Sequence, residues 1–333
     1  MKPFWRAIGA LLLLVLVVLA WALASGSAAI DWADLPRLLF QPDGSAEAEV
    51  LHRLRLPRAL AAIATGGLLA LAGALMQVLL RNPLADPYVL GLSSTAAVGA
   101  LGMMALGYGA WAINTGAFVG ALLAVLLVFV LARHDMARIE SASVADGSPR
   151  LLLTGVMISS LSIALVSLIL SLAPTERLRG MLFWMLGDLS GVGSATPALV
   201  LLPVLLLVLM PFARDMNLLL RGPGPAQMLG VPVGRVRGVI YLAASLAAAV
   251  TVTTAGSIGF VGLVVPHVLR LLIGNDQRVL LPACALAGGA FLLAADTAAR
   301  SWWAPLQLPV GVLTALVGAP LFILLLSRKA GRR

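Results

Sequence analysis

Arg55-Leu-Pro-Arg58 opens one long apolar run, and Asp296-Thr-Ala-Ala-Arg300 closes another. Three guanidiniums and one carboxylate at run ends suit the recognition of an acidic surface, because a guanidinium presents a planar fork of donors to a carboxylate. Asp296 stands four residues before Arg300, so on a helix the two share a face and can also hold the helix end as an internal ion pair. Other chemistry is sparse. His267 lies alone in an apolar run, far in sequence from His52 and His134, so no metal-ligand spacing emerges and the ring reads as hydrogen-bonded structure. The only lysines are Lys2 and Lys329, and there is no Gly-x-x-x-x-Gly-Lys-Ser/Thr loop to cradle phosphates. ATP chemistry, if this protein uses it, must come from another chain.

These residues have to be positioned by membrane helices. The chain is 61% hydrophobic and 11% charged, with a mean hydropathy of +1.02, whereas soluble domains carry about 25% charged residues. The apolar runs are continuous rather than alternating, which favours helices over a barrel. Ten spans are predicted, at about 7–27, 57–80, 88–107, 111–132, 150–172, 195–213, 238–255, 257–273, 279–299 and 307–327. The first is expected to be a retained helix rather than a cleaved signal. Cys284, the single cysteine, excludes an internal disulfide and a cysteine metal cluster. The net charge of +9 falls in short clusters between spans, with no basic stripe interleaved with aromatics, so nucleic acid is not an expected partner.

Positive charge sets the orientation. With both termini cytoplasmic, the outer segments hold Arg37, Arg53, Arg55, Arg58, Arg177, Arg179 and Arg300, leaving 16 of the 23 basic residues inside. The exceptions at helix mouths, Arg53, Arg55, Arg58 and Arg300, either snorkel to lipid headgroups or form a docking surface for something acidic.

With these residues stand Gly73-Ala-Leu-Met-Gln77, Asn82-Pro-Leu-Ala85, Leu90-Gly-Leu-Ser93, Phe183-Trp-Met-Leu-Gly187, Gly259-Phe-Val-Gly-Leu263, Pro266-His267 and Leu308-Pro-Val-Gly311. In this order, from about Arg53 to Leu326, they resemble the permease subunits of bacterial ABC importers of the iron-chelate/cobalamin (FecCD) family. The resemblance implies an all-α polytopic protein with about ten transmembrane helices, the type II ABC importer permease fold. One permease domain would cover 1–333, with an outer loop at about 28–54 and a coupling loop at about 214–237. It further implies a homodimer in the bacterial inner membrane, two copies of a cytoplasmic ATPase, and a periplasmic substrate-binding protein. No cofactor or metal would be bound by this chain; ATP and Mg would sit on the ATPase.

Roles carry over position by position. Arg55, Arg58 and Arg300, with Asp296, would dock the binding protein. Asn82, Leu84 and Ser148 would close the cytoplasmic end of the path, although Pro149 stands where a small polar residue is usual. Met157, Ser160 and Ser167 of the fifth span, and Met181 of a short outer helix, would line the path. Leu218, Leu219, Gly222, Ala226, Leu229 and Gly230 would couple to the ATPase, although Arg221-Gly-Pro-Gly-Pro225 departs from the usual acidic helix start.

The cargo expected from the resemblance is an iron chelate, haem or a ferric siderophore, with cobalamin as the alternative. The rival class is a secondary transporter driven by an ion gradient. It would need a carboxylate at mid-membrane, and Asp296, toward the outer end of its span, is the candidate.

Overall fold

The computed structural model describes residues 2–26, 30–41, 44–137, 149–304 and 306–330, and among them every regular element is helical. Helix α1 spans Lys2–Ala24, followed by two short helices, α2 (Leu35–Phe40) and α3 (Ala46–Val50). One π turn, Leu51–Arg55, leads from α3 into α4 (Leu56–Leu79). A 3-10 turn at Pro87–Leu90 precedes α5 (Leu92–Ala105), and α6 (Ala110–Ala137), α7 (Pro149–Leu172) and the short α8 (Thr175–Met185) come next. Then follow α9 (Thr196–Leu209), α10 (Ala213–Leu219) and α11 (Pro223–Met228). The chain ends in α12 (Val233–Ala255), α13 (Val261–Ile273), α14 (Gln277–Ser301) and α15 (Val310–Ala330).

All ten runs read from the sequence are helices: α1, α4, α5, α6, α7, α9, α12, α13, α14 and α15. Seven of them are long and apolar enough to cross a bilayer, while the apolar stretches of α5, α13 and α15 are shorter. Before α5 stands the 3-10 turn, and before α13 runs non-helical backbone from Gly256 to Phe260. Irregular backbone at membrane depth is tolerated where protein covers it. Here Ser93 Oγ donates to Ser257 Oγ at 2.6 Å, and Ile258 is buried.

Helix α4 is the axis of the subunit, buried along nearly its whole length and packed by α14, α12, α13 and α9. Lipid tails are as apolar as leucine, so helices associate through close contact of small residues rather than by escaping water. A Cβ on Gly73 would overlap the Gly262 carbonyl of α13, and one on Gly66 would overlap the Gly288 carbonyl of α14. Gly73→Leu is therefore expected to cost at least about 3 kcal/mol. It should show as loss of the monodisperse species in detergent, while Gly9→Leu, where nothing lies within 4 Å of the added carbon, should behave as wild type.

The boundaries differ from expectation in two places. The outer segment at 28–54 contains α2 and α3, and α3 runs through the π turn into α4, giving helix from Ala46 to Leu79. Leu56 N–H donates back to the Leu51 carbonyl, and this wider turn makes room for the Pro57 ring, which lacks the N–H that a normal turn would use. At the other end the span expected from 238 begins at Val233, so Arg235 and Arg237 lie on α12 and not in the loop. Valine and arginine are adequate helix formers, and charge alone did not mark the helix start.

Candidate functional sites at the two ends of the bundle

At the end expected to face outward, Arg58 holds Asp296 with a two-pronged grip. Nε donates to Oδ2 at 2.9 Å and Nη2 donates to Oδ1 at 2.8 Å. Asp296 is 1% exposed. Arg300 is a weaker partner, its Nε standing 3.8 Å from Asp296 Oδ2. The intrahelical pair expected from the spacing is thus secondary, and the strong pair ties α4 to α14. Arg58 Nη1 also donates to Gln307 Oε1 at 3.2 Å.

Arg55 and Arg300 meet at the C-terminus of α1. Arg55 Nη1 donates to the carbonyls of Leu23 at 2.7 Å and Ala24 at 3.0 Å. Arg300 donates to Ser25 O at 2.7 Å and also to Ala22 O. The last carbonyls of a helix lack intrahelical donors and carry partial negative charge, so guanidiniums cap them well. Arg177 does the same for α5, donating to Ala105 O at 2.7 Å. Several of the outer cations that ran against the orientation rule are therefore helix caps or internal ion pairs. Arg53 differs, since it is solvent-facing and bonded only within its own turn, to Glu49 at 3.1 Å.

A cleft of about 430 Å³ opens over this cluster, lined by Arg53, Arg55, Arg58, Arg300 and Gln307 among others. Beside it lies a larger cavity of about 670 Å³, bounded by α8 through Arg179, Phe183 and Trp184, and by Asp188 and Gln307. Within it the Arg179 guanidinium carbon stands 5.6 Å from the Phe183 ring centre, a cation–π contact.

At the opposite end α4 stops at a tight turn. Asn82 Oδ1 accepts from Leu84 N–H at 2.9 Å, closing a side-chain turn ahead of Pro83 and leaving Leu84 exposed. Asp86 accepts from Tyr88 N–H at 2.8 Å and caps the 3-10 turn, and burial pushes its carboxyl up to about 6. Ser148, expected to share the gate with Asn82 and Leu84, lies outside the described residues.

The expected coupling residues divide by burial. Leu219 and Ala226 are fully buried and Gly222 is buried, so they hold α10 and α11 together rather than facing a partner. Leu218 is half-buried, and Leu229 and Gly230 are exposed. Met228, beside them in the same loop, is 91% exposed and lies at the tip of α11. Pro223 and Pro225 limit α11 to six residues without preventing it, since both stand in its first turn. Asn217 fastens this unit to α14 by accepting from Gln277 N–H at 2.9 Å and donating to Asp276 at 2.7 Å.

Helix α7 leaves most of its surface uncovered. Met157, Ser160 and Ser167 fall on one stripe with Ala164 and Ser171, at alternating steps of three and four, and all are exposed. The Ser160 and Ser167 hydroxyls donate to carbonyls one turn back, Val156 and Ile163, both at 2.9 Å. The stripe is thus only weakly polar toward its surroundings. Met181 departs from this surface: it is the buried residue of α8 and lines no open face of the single subunit. His267 is buried against Phe322, ring centres 5.7 Å apart and edge-on, as a structural residue would be.

The model of the FecCD transport family matches residues 12–328. The chain is 40% identical over 324 residues to the vitamin B12 import system permease protein BtuC of Escherichia coli O127:H6, covering 96% of this chain and 94% of that one. The BtuC of Escherichia coli O6:H1 is 41% identical over the same length. A solved inward-facing metal-chelate type ABC transporter superposes with a TM-score of 0.80 at 31% identity, covering 97% of this chain and 99% of that one. PsaBC from Streptococcus pneumoniae shares the fold, with a TM-score of 0.52 at 18% identity over 80% of this chain and 89% of that one. The chain therefore belongs to the FecCD transport family, as a multi-pass permease of the ABC importer type.

Proposed function

We propose that this chain is one half of a homodimeric, ATP-driven importer that carries a bulky metal chelate from periplasm to cytoplasm, with cobalamin the first candidate. The choice of cobalamin over haem or a ferric siderophore rests on the identity to vitamin B12 permeases along nearly the whole chain. The observation that carries the ABC reading over the ion-driven one is the state of Asp296. That carboxylate is held by both oxygens on Arg58, so it is not free to take up and release a proton or sodium ion in each cycle.

In this reading a binding protein docks over the outer cleft, where Arg53 and Arg58 meet its carboxylates and set orientation and on-rate. A separate ATPase covers Met228 and Leu229, apolar residues that are costly to leave in cytosol. The α7 stripe of each copy faces the path between them, and its self-satisfied hydroxyls let a large solute pass without tight binding. Nucleotide-driven movement of α10 and α11 opens and closes the turn at Asn82–Leu84, which follows directly from the central helix α4. Both termini lie in the cytoplasm.

The test is the ATPase rate of the reconstituted complex with binding protein loaded with cobalamin, haem or ferric siderophore. Stimulation by the cobalamin-loaded form alone is the expected result. Stimulation by one of the iron chelates would reassign the cargo, and stimulation by none would remove the chelate reading.

A further inference from the structure

The cavity of about 670 Å³ beside the docking cleft has a fixed wall. That wall is α8, which is clamped at both ends. At its start Arg177 Nη1 donates to the carbonyls of Met104 at 3.2 Å and Ala105 at 2.7 Å. Gly107, at φ +84°, lies so close to the same guanidinium that a Cβ there would stand 2.6 Å from Nη2. At the other end a Cβ on Gly256 would overlap the Trp184 carbonyl, and one on Gly311 the Leu186 carbonyl. The volume suits a site for a drug-sized molecule, yet neither docking at the arginine cleft nor contact with the ATPase uses it.

The groups around the cavity divide by what they can still offer. Asp188 is held in place by its own N–H, which donates to the Ala255 carbonyl at 2.9 Å, and its Oδ1 accepts from Ser190 N–H at 2.8 Å. Thr253 and Thr254 give their hydroxyl protons to the carbonyls of Ala249 and Val250, both at 2.7 Å, leaving their oxygens as acceptors. Glu176, exposed in the first turn of α8, is a further acceptor. Gln307 uses Oε1 to accept from Arg58 Nη1 at 3.2 Å, which leaves its NH2 as a donor. Arg179, resting on the Phe183 ring, also donates, and Asn114 can do both. A carboxamide answers both kinds of group, because it carries a carbonyl and an NH2. A carboxylate answers only the donors and meets Glu176 and Asp188 as like charges. Phe183, Trp184 and Leu306 supply apolar surface for the rest of such a solute.

The cavity also lies where an incoming solute would pass. It shares Ser190 and Gln307 with the arginine cleft, and α8 follows α7 after only Ala173 and Pro174. We propose that this cavity is a subsite for the carboxamide-bearing rim of a large neutral solute, entered as the solute leaves the binding protein and before it reaches α7. Glu176 and Asp188 set its selectivity by turning away solutes whose rim carries carboxylates. This rests on the importer reading above and adds to it a choice made by the permease as well as by the binding protein.

The test is uptake into proteoliposomes holding the permease, its ATPase and its binding protein. The solutes are labelled cyanocobalamin and its monocarboxylic acid, in which one rim amide has been hydrolysed. The binding protein is brought to equal occupancy with either solute, and since it is the same for every permease variant, its own preference cancels from the comparison. Wild-type permease should favour the amide. Glu176→Gln should narrow that preference about threefold and Glu176→Lys about tenfold. The melting temperature should hold in both, because the side chain is exposed. The same preference in wild type and both variants overturns the proposal. So does equal slowing of both solutes, which a gating or purely structural Glu176 would give. If wild type takes up neither solute, the cargo reading itself fails, and wild-type uptake of cyanocobalamin therefore tells the two failures apart.

Discussion

Arg58→Met should destabilise the permease by about 3–5 kcal/mol, because it strands a carboxylate in a site built to pair it. Asp296 is 1% exposed, and Arg58 supplies its short bonds, with Arg300 Nε no closer than 3.8 Å. Adding Asp296→Leu removes the stranded charge and should return most of the stability, since a matched apolar pair often replaces a buried ion pair at little cost. The double variant then separates two roles that the single one confounds. It should fold, as read by thermal unfolding in detergent, and yet dock the binding protein weakly. Arg53→Glu gives the complementary result. That side chain is 78% exposed, so stability should hold while the docking on-rate falls and its salt dependence flattens. Wild-type docking by both variants would move the docking surface away from this cleft.

Leu219→Asp and Met228→Asp should fail in different ways. Leu219 is fully buried between α10 and its neighbours, so a carboxylate there has no partner and the α10–α11 unit should lose its packing. The expected result is a permease of lowered melting temperature. Met228 is 91% exposed at the tip of α11, so Met228→Asp should leave melting unchanged and weaken ATPase binding at least about tenfold, by charging an apolar contact. Co-purification of the ATPase with each variant, beside its melting temperature, checks both. A Met228→Asp permease that retains the ATPase fully would place the coupling contact elsewhere.

The spans could be read from the sequence because length and unbroken apolarity are what a bilayer demands, and all ten runs appear as helices. Which face each helix buries was much less visible. In membrane and protein interior alike the surroundings are apolar, so hydrophobicity carries little information about direction; small residues carry more. Gly73 and Gly66 stand at the α4 contacts, whereas nothing local marked Met181 as buried. Charge was misread for a related reason. The spacing of Asp296 and Arg300 pointed to each other, while the stronger partner, Arg58, lies 238 residues away in sequence. The acceptors of Arg55 and Arg300 are backbone carbonyls of α1, which have no side-chain signature at all. Arg237 was placed in the loop because the span was read from 238, and only the packing shows that its side chain is buried.

The measurement that bears most directly on the importer account is uptake of labelled cobalamin into proteoliposomes holding this permease, its ATPase and its binding protein. The account predicts uptake that requires both internal ATP and the external binding protein, and that is indifferent to an imposed proton or sodium gradient. Uptake by the permease alone, driven by such a gradient and abolished by Asp296→Asn, would contradict it and return the carboxylate now held by Arg58 to the centre of the mechanism.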